Sequence, residues 1–528
     1  MAMLKIEGLK AAYGEIEVLH GIDVEVNAGE IVAVIGANSS GKSTMLSCIS
    51  HLMTPSGGAI TFDGTDITRK NPEEIVDLGL IQCPEGRQLF HRLTVRENLE
   101  LGAFSKRARA DKLKTLEKVY AFLPRLKERE NQIEETKQNL YYVMVNLLLS
   151  SLLALVYTND LFTAYVFVEI NTISACGLIM IRQNGRTIEA ATRYMIMSLL
   201  GSGLLLLGIC FLYDLTGQLL MSNIQEAVRT LYETGAYHIP LLVSLGLMSV
   251  GLAIKSALYP FHAWLPDAYG YSTLSSAAIL SSLVSKGYII LLIKIFYRVI
   301  GFDIVRDSKV IHVLFVFGIA GMIMGSLSAI REDNIRRMIA FSSVAQIGYI
   351  YMGFGLGTPA GVLASIYHVV SHAATKSLLF TAASGLTDAS GGSVRYADLT
   401  GAGYRNKLAG VAFTAGSLSM VGFPMFSGFI SKLLFAQAAV GHTYKMLPTL
   451  IALAISTILN AVYFMKTVIR IYTPMRVPED SGKACRIGIL DQPQKSLALV
   501  CFIILNLLLG LSSEPLIQLL QNGLEMFH

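Results

Sequence analysis

Eight residues near the amino terminus have the types and spacing to hold a phosphate: Gly36-Ala37-Asn38-Ser39-Ser40-Gly41-Lys42-Ser43 fits G-x-x-x-x-G-K-[ST]. In such a loop, backbone N–H groups and a helix N-terminus hold the β- and γ-phosphates, while the lysine adds a point charge. Ser43, followed by Thr44, offers a hydroxyl to Mg2+. A second set of residues lies inside apolar sequence: Glu169, Lys255, Lys286 and Lys432, together with His368, His372 and Lys376. The last three are spaced i, i+4 and i+8, so they share one face of a helix. Ionisable side chains in lipid are costly and by default mark a path for ions. Buried lysine and histidine can exchange protons near neutral pH. The bland alternatives are a snorkelling Lys286, a histidine used in packing and a neutral, structural Glu169. Two histidines and a lysine on one face, and a lysine available to Glu169, favour the charged reading.

The elements that must position these groups belong to two different solvents. The chain has 528 residues, 53% hydrophobic and 15% charged, against about 25% charged in an ordinary soluble protein. Residues 1–138 hold 38 of the charges, and the 390 that follow hold 43. Six scattered cysteines form no C-x-x-C pair and suggest neither a disulfide framework nor a zinc site, so no metal is expected. The net charge of +5 gives no reason to expect nucleic-acid binding. The charged start, Met1 to Lys10, lacks the apolar core of a signal peptide.

Strand-like alternation runs through residues 4–35 and includes a buried-type strand, Ile31 to Ile35, directly before the phosphate loop. Residues 43–52 and 72–78 read as helices, and residues 96–137 are charged and helical. From Asn139 on, apolar segments of spanning length are predicted at 140–158, 161–180, 191–212, 239–260, 275–297, 310–330, 336–356, 361–384, 408–438, 447–470 and 496–512. Two of them carry a Pro/Gly interruption beside a lysine, Lys255 with Pro260 and Lys432 with Pro424. Paired broken helices of this kind point to inverted-repeat transporters. Fifteen Lys or Arg residues in the loops of one side, against five on the other, place the first side and the amino-terminal block in the cytoplasm. The expected architecture is mostly α: a polytopic transmembrane bundle of about 11 spans with inverted repeats, residues 139–520, preceded by an incomplete α/β lobe, residues 1–135.

Further residues narrow the amino-terminal lobe. Tyr13 precedes the loop; Pro84-Glu85-Gly86-Arg87-Gln88-Leu89-Phe90 and Leu93-Thr94-Val95-Arg96-Glu97-Asn98-Leu99 follow it, and Phe122 to Arg129 come later. Residues 2–133 thereby resemble the ATP-binding subunits of branched-chain amino-acid importers, in the ABC ATPase family. By that resemblance Tyr13 stacks on adenine, Gly36, Asn38, Gly41, Lys42, Ser43 and Thr44 hold ATP/Mg2+, and Glu85 stands where most ABC ATPases have Gln. Then the pattern stops. Ile133 to Gln138 replace an LSGG-type signature, no strand ending in Asp-Glu follows, and Ser39 stands where the family has Gly. Hydrolysis needs the metal-holding Asp and a residue that orients water, so none is expected from this chain alone.

In the membrane block, Lys255-Ser256-Ala257-Leu258-Tyr259-Pro260-Phe261-His262-Ala263-Trp264-Leu265-Pro266-Asp267-Ala268, Asp333 to Ser343 and His368 to Lys376 resemble the antiporter-like subunits. These subunits are shared by respiratory complex I, membrane-bound hydrogenases and Mrp-type Na+/H+ antiporters. The resemblance covers about 139–520 and lies nearer the Mrp and hydrogenase branch. It implies that Glu169 and Lys255 are an ion pair, Lys286 the relay to the middle, His368, His372 and Lys376 the central relay, and Lys432 the terminal exchanger. The family has roughly fourteen spans, and the ABC-like segment stands where the first three would be. The expected function is H+ or Na+ translocation as one subunit of a redox-coupled multisubunit complex in the inner (cytoplasmic) membrane. The membrane block requires no cofactor. The alternatives are an ABC-type protein for branched-chain amino acids and a chimeric gene.

Overall fold

A computed structural model describes residues 2–14, 16–37, 40–83, 90, 93, 95–105, 108–109, 111–128, 138–235, 237–441, 444–474 and 486–526. The chain divides into two compact units, Met1–Thr136 and Lys137–His528. Asn38, Ser39, Glu85 with the Pro84–Leu89 segment, and residues 129–137, where the expected signature is missing, lie outside the described residues.

In the first unit β1 (Leu4–Tyr13), β2 (Ile16–Val26), β3 (Gly57–Phe62) and β4 (Thr65–Asp66) form an antiparallel sheet in the order β2-β1-β3-β4. The register runs from Leu4↔Val26 to Tyr13↔Ile16 on one side of β1, and from Leu4↔Phe62 on the other. Alternation buries Ile6, then slips at a bulge, then buries Leu9 and Ala11. Gly8 sits in the bulge at φ 61; a Cβ on the facing Gly58 would lie 2.5 Å from the Gly8 carbonyl oxygen. This face packs on Met45, Cys48 and Ile49 of helix Lys42–Ile49. Helix Pro72–Leu78 follows as expected, started by a capping box between Asn71 and Glu74. Val95–Leu101, Lys112–Phe122 and Pro124–Glu128 complete the described helices.

The expected strand Ile31 to Ile35 does not form. Residues 31–37 are irregular, and Ile31 and Ile35 are 97% and 93% exposed. An apolar run is a strand only where another strand or a helix covers it, and the chain has no Asp-Glu strand to lie beside it. The phosphate loop therefore follows an open segment rather than a sheet edge.

In the second unit, nine helices among the described residues are long and apolar enough to cross a membrane. They account for all but two of the eleven expected segments. The 361–384 segment is helix Pro359–Asp388, 30 residues long, which carries both central histidines and a lysine and falls short in apolarity. The 408–438 segment is divided into Lys407–Val421 and Ser427–Val440. The other expected break is present too: His238–Lys255 ends at Lys255, and helix resumes at Leu265–Tyr271. Polar caps fix the starts. Asn184 accepts from Thr187 N (2.9 Å), Asn334 from Arg336 N (2.9 Å), and Asn406 from Ala409 N (3.1 Å).

Small residues set the closest approaches. A Cβ on Gly201 would lie 2.8 Å from the Gly251 carbonyl oxygen, so helices Gly185–Thr216 and His238–Lys255 touch backbone to backbone. Gly318 and Gly348 do the same for Val310–Arg331 and Ile335–Leu356, where a Cβ on Gly348 would lie 2.6 Å from the Gly318 carbonyl oxygen. Such contacts are how helices pack in lipid, where no hydrophobic force draws them together. Ile335–Leu356 is accordingly buried along nearly its whole length.

Candidate functional site: a buried line of charged residues

The line begins where three helices meet. Glu169 lies on Leu161–Met180, Ser202 on Gly185–Thr216, and Lys255 is the last residue of its helix. The Gly201–Gly251 contact brings the last two helices together, and a Cβ on Gly201 would sit 3.1 Å from the Lys255 Cγ. Lys255 Nζ is 3.5 Å from Glu169 Oε1 and donates to Thr172 Oγ1 at 2.8 Å; Ser202 Oγ donates to the same Glu169 oxygen. The lysine is fully enclosed, whereas the Glu169 side chain is 25% exposed. Lys255 is therefore held by one carboxylate and one hydroxyl. The Tyr288 ring lies 5.4 Å from its Nζ, and the Tyr288 hydroxyl donates to Asn171 Oδ1 at 3.0 Å.

Tyr288 belongs to the same helix as Lys286. That helix, Leu274–Ile300, contains π-helical turns at Leu280–Val284 and Ile295–Ile300. Lys286 Nζ donates to the Ser281 carbonyl, five residues back, and to Ser285 Oγ at 3.3 Å. Single π turns recur at functional sites because they re-aim side chains. Lys286 is buried, and its helix packs through Leu280–Val284 against Pro359–Asp388, which carries the central residues.

The three expected central residues share one buried face of Pro359–Asp388. Lys376 Nζ donates to the Ile339 carbonyl (2.8 Å) and to Ser342 Oγ. The His368 and His372 rings are parallel, with centroids 5.9 Å apart. His368 Nδ1 is 2.6 Å from Ser431 Oγ. His368 Nε2, both His372 nitrogens and the Tyr349 hydroxyl are buried without a protein hydrogen-bond partner among the described residues. Buried polar atoms nearly always find a partner, so these four are the groups in this stretch with hydrogen-bonding capacity to spare.

Lys432 closes the line on Ser427–Val440. Its Nζ donates to the Val421 carbonyl at 2.5 Å and to Thr457 Oγ1 at 2.9 Å. Val421 ends the first half of the broken helix, so Lys432 rests against a helix C-terminus. A Cβ on Gly422, at φ 90, would lie 2.9 Å from Lys432 Cδ, which leaves room for glycine alone. Tyr349 connects this end to the middle, stacked 5.4 Å from the His368 ring with its own ring 6.0 Å from Lys432 Nζ.

All seven expected membrane residues lie in the second unit, with Lys255, Lys286, His368, His372 and Lys376 buried and Glu169 and Lys432 partly so. The structure brings Glu169 to Lys255, His368 to His372 and, through Tyr349, His368 towards Lys432. The sequence reading missed the neutral partners: Thr172, Ser202, Tyr288, Ser342, Tyr349, Ser431 and Thr457. Hydroxyls and aromatics are ordinary in membrane helices, and only their position beside a lysine or histidine marks them.

In the first unit, Gly41 sits at φ 86 and starts helix Lys42–Ile49, with Ser43 and the buried Thr44 in its first turn. Lys42 Nζ donates to the carbonyls of Gly36 (2.8 Å) and Ala37 (2.6 Å) and to Ser40 Oγ (3.3 Å). Tyr13, at the end of β1, is 60% exposed and free to stack. The described residues fit the binding half of a phosphate loop. Nothing among them supplies an acid to hold the metal or to orient water.

The profile of the NADH:quinone oxidoreductase/Mrp antiporter transmembrane family matches residues 158–459. That of the ABC transporter family matches residues 19–145, running past residue 133 into the first apolar helix. NADH-quinone oxidoreductase subunit N of Desulforudis audaxviator is 33% identical over 353 residues, 66% of this chain and 68% of its own length. Among solved structures, the Mrp complex from a Dietzia species matches with a TM-score of 0.64 and 27% identity, covering 72% of this chain and 76% of that one. The membrane-bound sulfane sulfur reductase, an archaeal respiratory membrane complex, matches equally well, with a TM-score of 0.64 and 27% identity over 74% of this chain and 76% of that one.

Proposed function

The chain belongs to the NADH:quinone oxidoreductase/Mrp antiporter family, and from that premise we propose that its membrane unit carries H+ or Na+ across the bilayer along the buried line. Glu169 and Lys255 form the first element. Lys286 receives from Lys255, His368, His372 and Lys376 form the centre, and Lys432 exchanges with the far side. The pairing of a fully enclosed Lys255 with a partly exposed Glu169 at 3.5 Å carries the reading. A buried lysine holds its proton while a carboxylate stands beside it and gives the proton up when the two side chains separate. The related chains are parts of multisubunit membrane assemblies, and this subunit works within one of the same kind. Its membrane is the inner (cytoplasmic) one, with the amino-terminal unit on the cytoplasmic, more basic side. The membrane unit, residues 139–520, needs no cofactor; the amino-terminal unit, residues 1–135, retains a phosphate loop for ATP/Mg2+ without the means to hydrolyse it. Bound there, Mg2+ would neutralise phosphate charge, while Lys42 and Ser43 position the phosphates and Tyr13 stacks on the base.

The test is cation-dependent ΔpH in vesicles holding the full chain with its partner subunits. Lys255→Ala should abolish it while the protein remains folded, and Lys255→Arg should fail as well, because guanidinium does not release its proton. Full transport by Lys255→Arg would reduce Lys255 to a structural charge and overturn the mechanism.

A further inference from the structure

On the basic side of the membrane unit, away from the buried line, lies an open groove of about 790 Å³ between the 393–398 loop and helix Met446–Tyr472. Arg395, Lys466 and Arg470 line it, with one acid, Asp333. Among the described residues no carboxylate pairs with any of the three cations. Lys466 faces the Tyr396 ring at 5.9 Å, and Arg470 Nε donates to the Tyr396 carbonyl at 3.2 Å. Tyr396 is itself anchored, its hydroxyl 3.0 Å from Thr467 Oγ1, so the cationic collar stands on a fixed support. The rest of the wall is the apolar face of the helix, through Val462, Met465 and Ile469. That face continues away from the collar as an exposed stripe, Ile451, Ile455 and Ile458, each 39% to 65% exposed.

Three cations at one end of a bare apolar stripe match the chemistry of a lipid with an anionic head and acyl tails. A partner helix would cover the stripe but leave the cations without counter-charge; a free phosphate would satisfy the cations but leave the stripe bare. We propose that this groove binds an anionic glycerophospholipid of the surrounding leaflet. Its phosphate lies among Arg395, Lys466 and Arg470, and one acyl chain lies along Val462 and Ile458. The bound head joins the 393–398 loop to the end of Met446–Tyr472. The loop in turn pairs with Asn334, through the Asn334↔Arg395 bridge, at the start of Ile335–Leu356.

The test is native mass spectrometry of the full chain released from nanodiscs of equal phosphatidylglycerol and phosphatidylcholine. Retained phosphatidylglycerol should exceed phosphatidylcholine by about thirtyfold for a net surplus of two charges near the membrane surface. The triple variant R395Q/K466Q/R470Q should lose the preference, whereas Lys407→Gln, a control cation outside the groove, should keep it. Because the readout is retained lipid, it is independent of ion transport. Equal retention of both lipids would overturn the proposal, as would an undiminished preference in the triple variant. Displacement of the retained lipid by inorganic phosphate alone would reassign the site to a free anion. A partner subunit that excludes lipid from the groove would reassign it to a protein interface.

Discussion

Replacing Glu169 by Gln removes one charge from the first element and leaves its shape almost unchanged. At 3.5 Å and an effective dielectric of about 20, a full pair would attract by roughly 5 kcal/mol. Glu169 is 25% exposed and water screens part of this, so about 3 kcal/mol is the working figure, at the low end of what breaking a buried pair costs. Thr172 still accepts from Lys255 at 2.8 Å, so the lysine keeps neutral support but loses its charged one. A deficit of about 3 kcal/mol corresponds to roughly a hundredfold loss in the occupancy on which transfer depends. Vesicles with Glu169→Gln should therefore translocate at about one hundredth of the parent rate, at equal incorporation and with an unchanged size-exclusion profile. Transport within twofold of the parent would show that Lys255 does not depend on Glu169, and the pair would cease to be a functional element.

The remaining predictions address separate parts of the molecule. Gly348→Leu should destabilise the membrane unit by about 1–3 kcal/mol or more, read as a lowered unfolding temperature, because a Cβ there already meets the Gly318 carbonyl oxygen at 2.6 Å. Purified protein should show no ATPase activity that Lys42→Ala removes; turnover abolished by that substitution would overturn the reading and favour an ATP-driven transporter. Limited proteolysis should cut within residues 100–140 and leave the membrane unit intact, since the first unit leaves Ile31 and Ile35 uncovered.

What could be foreseen followed from how local each signal is. His368, His372 and Lys376 announce a shared face because helical period alone brings them together. Pro424 and the glycine before it announce the break between Lys407–Val421 and Ser427–Val440, because proline removes a donor wherever it stands. Lys255 and Glu169 could be matched because a buried charge requires a partner and few were available. Ile31 to Ile35 misled for the opposite reason: the apolar run is a strand only in company that this chain lacks. The π turns around Lys286 were invisible as well, since they arise from packing and leave no composition of their own. Thr457 and Ser342 became recognisable only once folding set each beside a lysine.

The glycine contacts also constrain what kind of machine the membrane unit is. Where Gly201 meets Gly251 and Gly318 meets Gly348, main chain rests on main chain with no side chain between them to change rotamer. No side chain larger than hydrogen fits at these contacts, so the helix separation there is set by the main chain alone. Gly201 and Gly251 lie on two of the helices that frame the Glu169–Lys255 pair, so any side chain added at either position would push those helices apart beside that pair. Widening either glycine would therefore alter the distance between the charged groups without touching them, so the two glycines set the geometry of the pair from outside it.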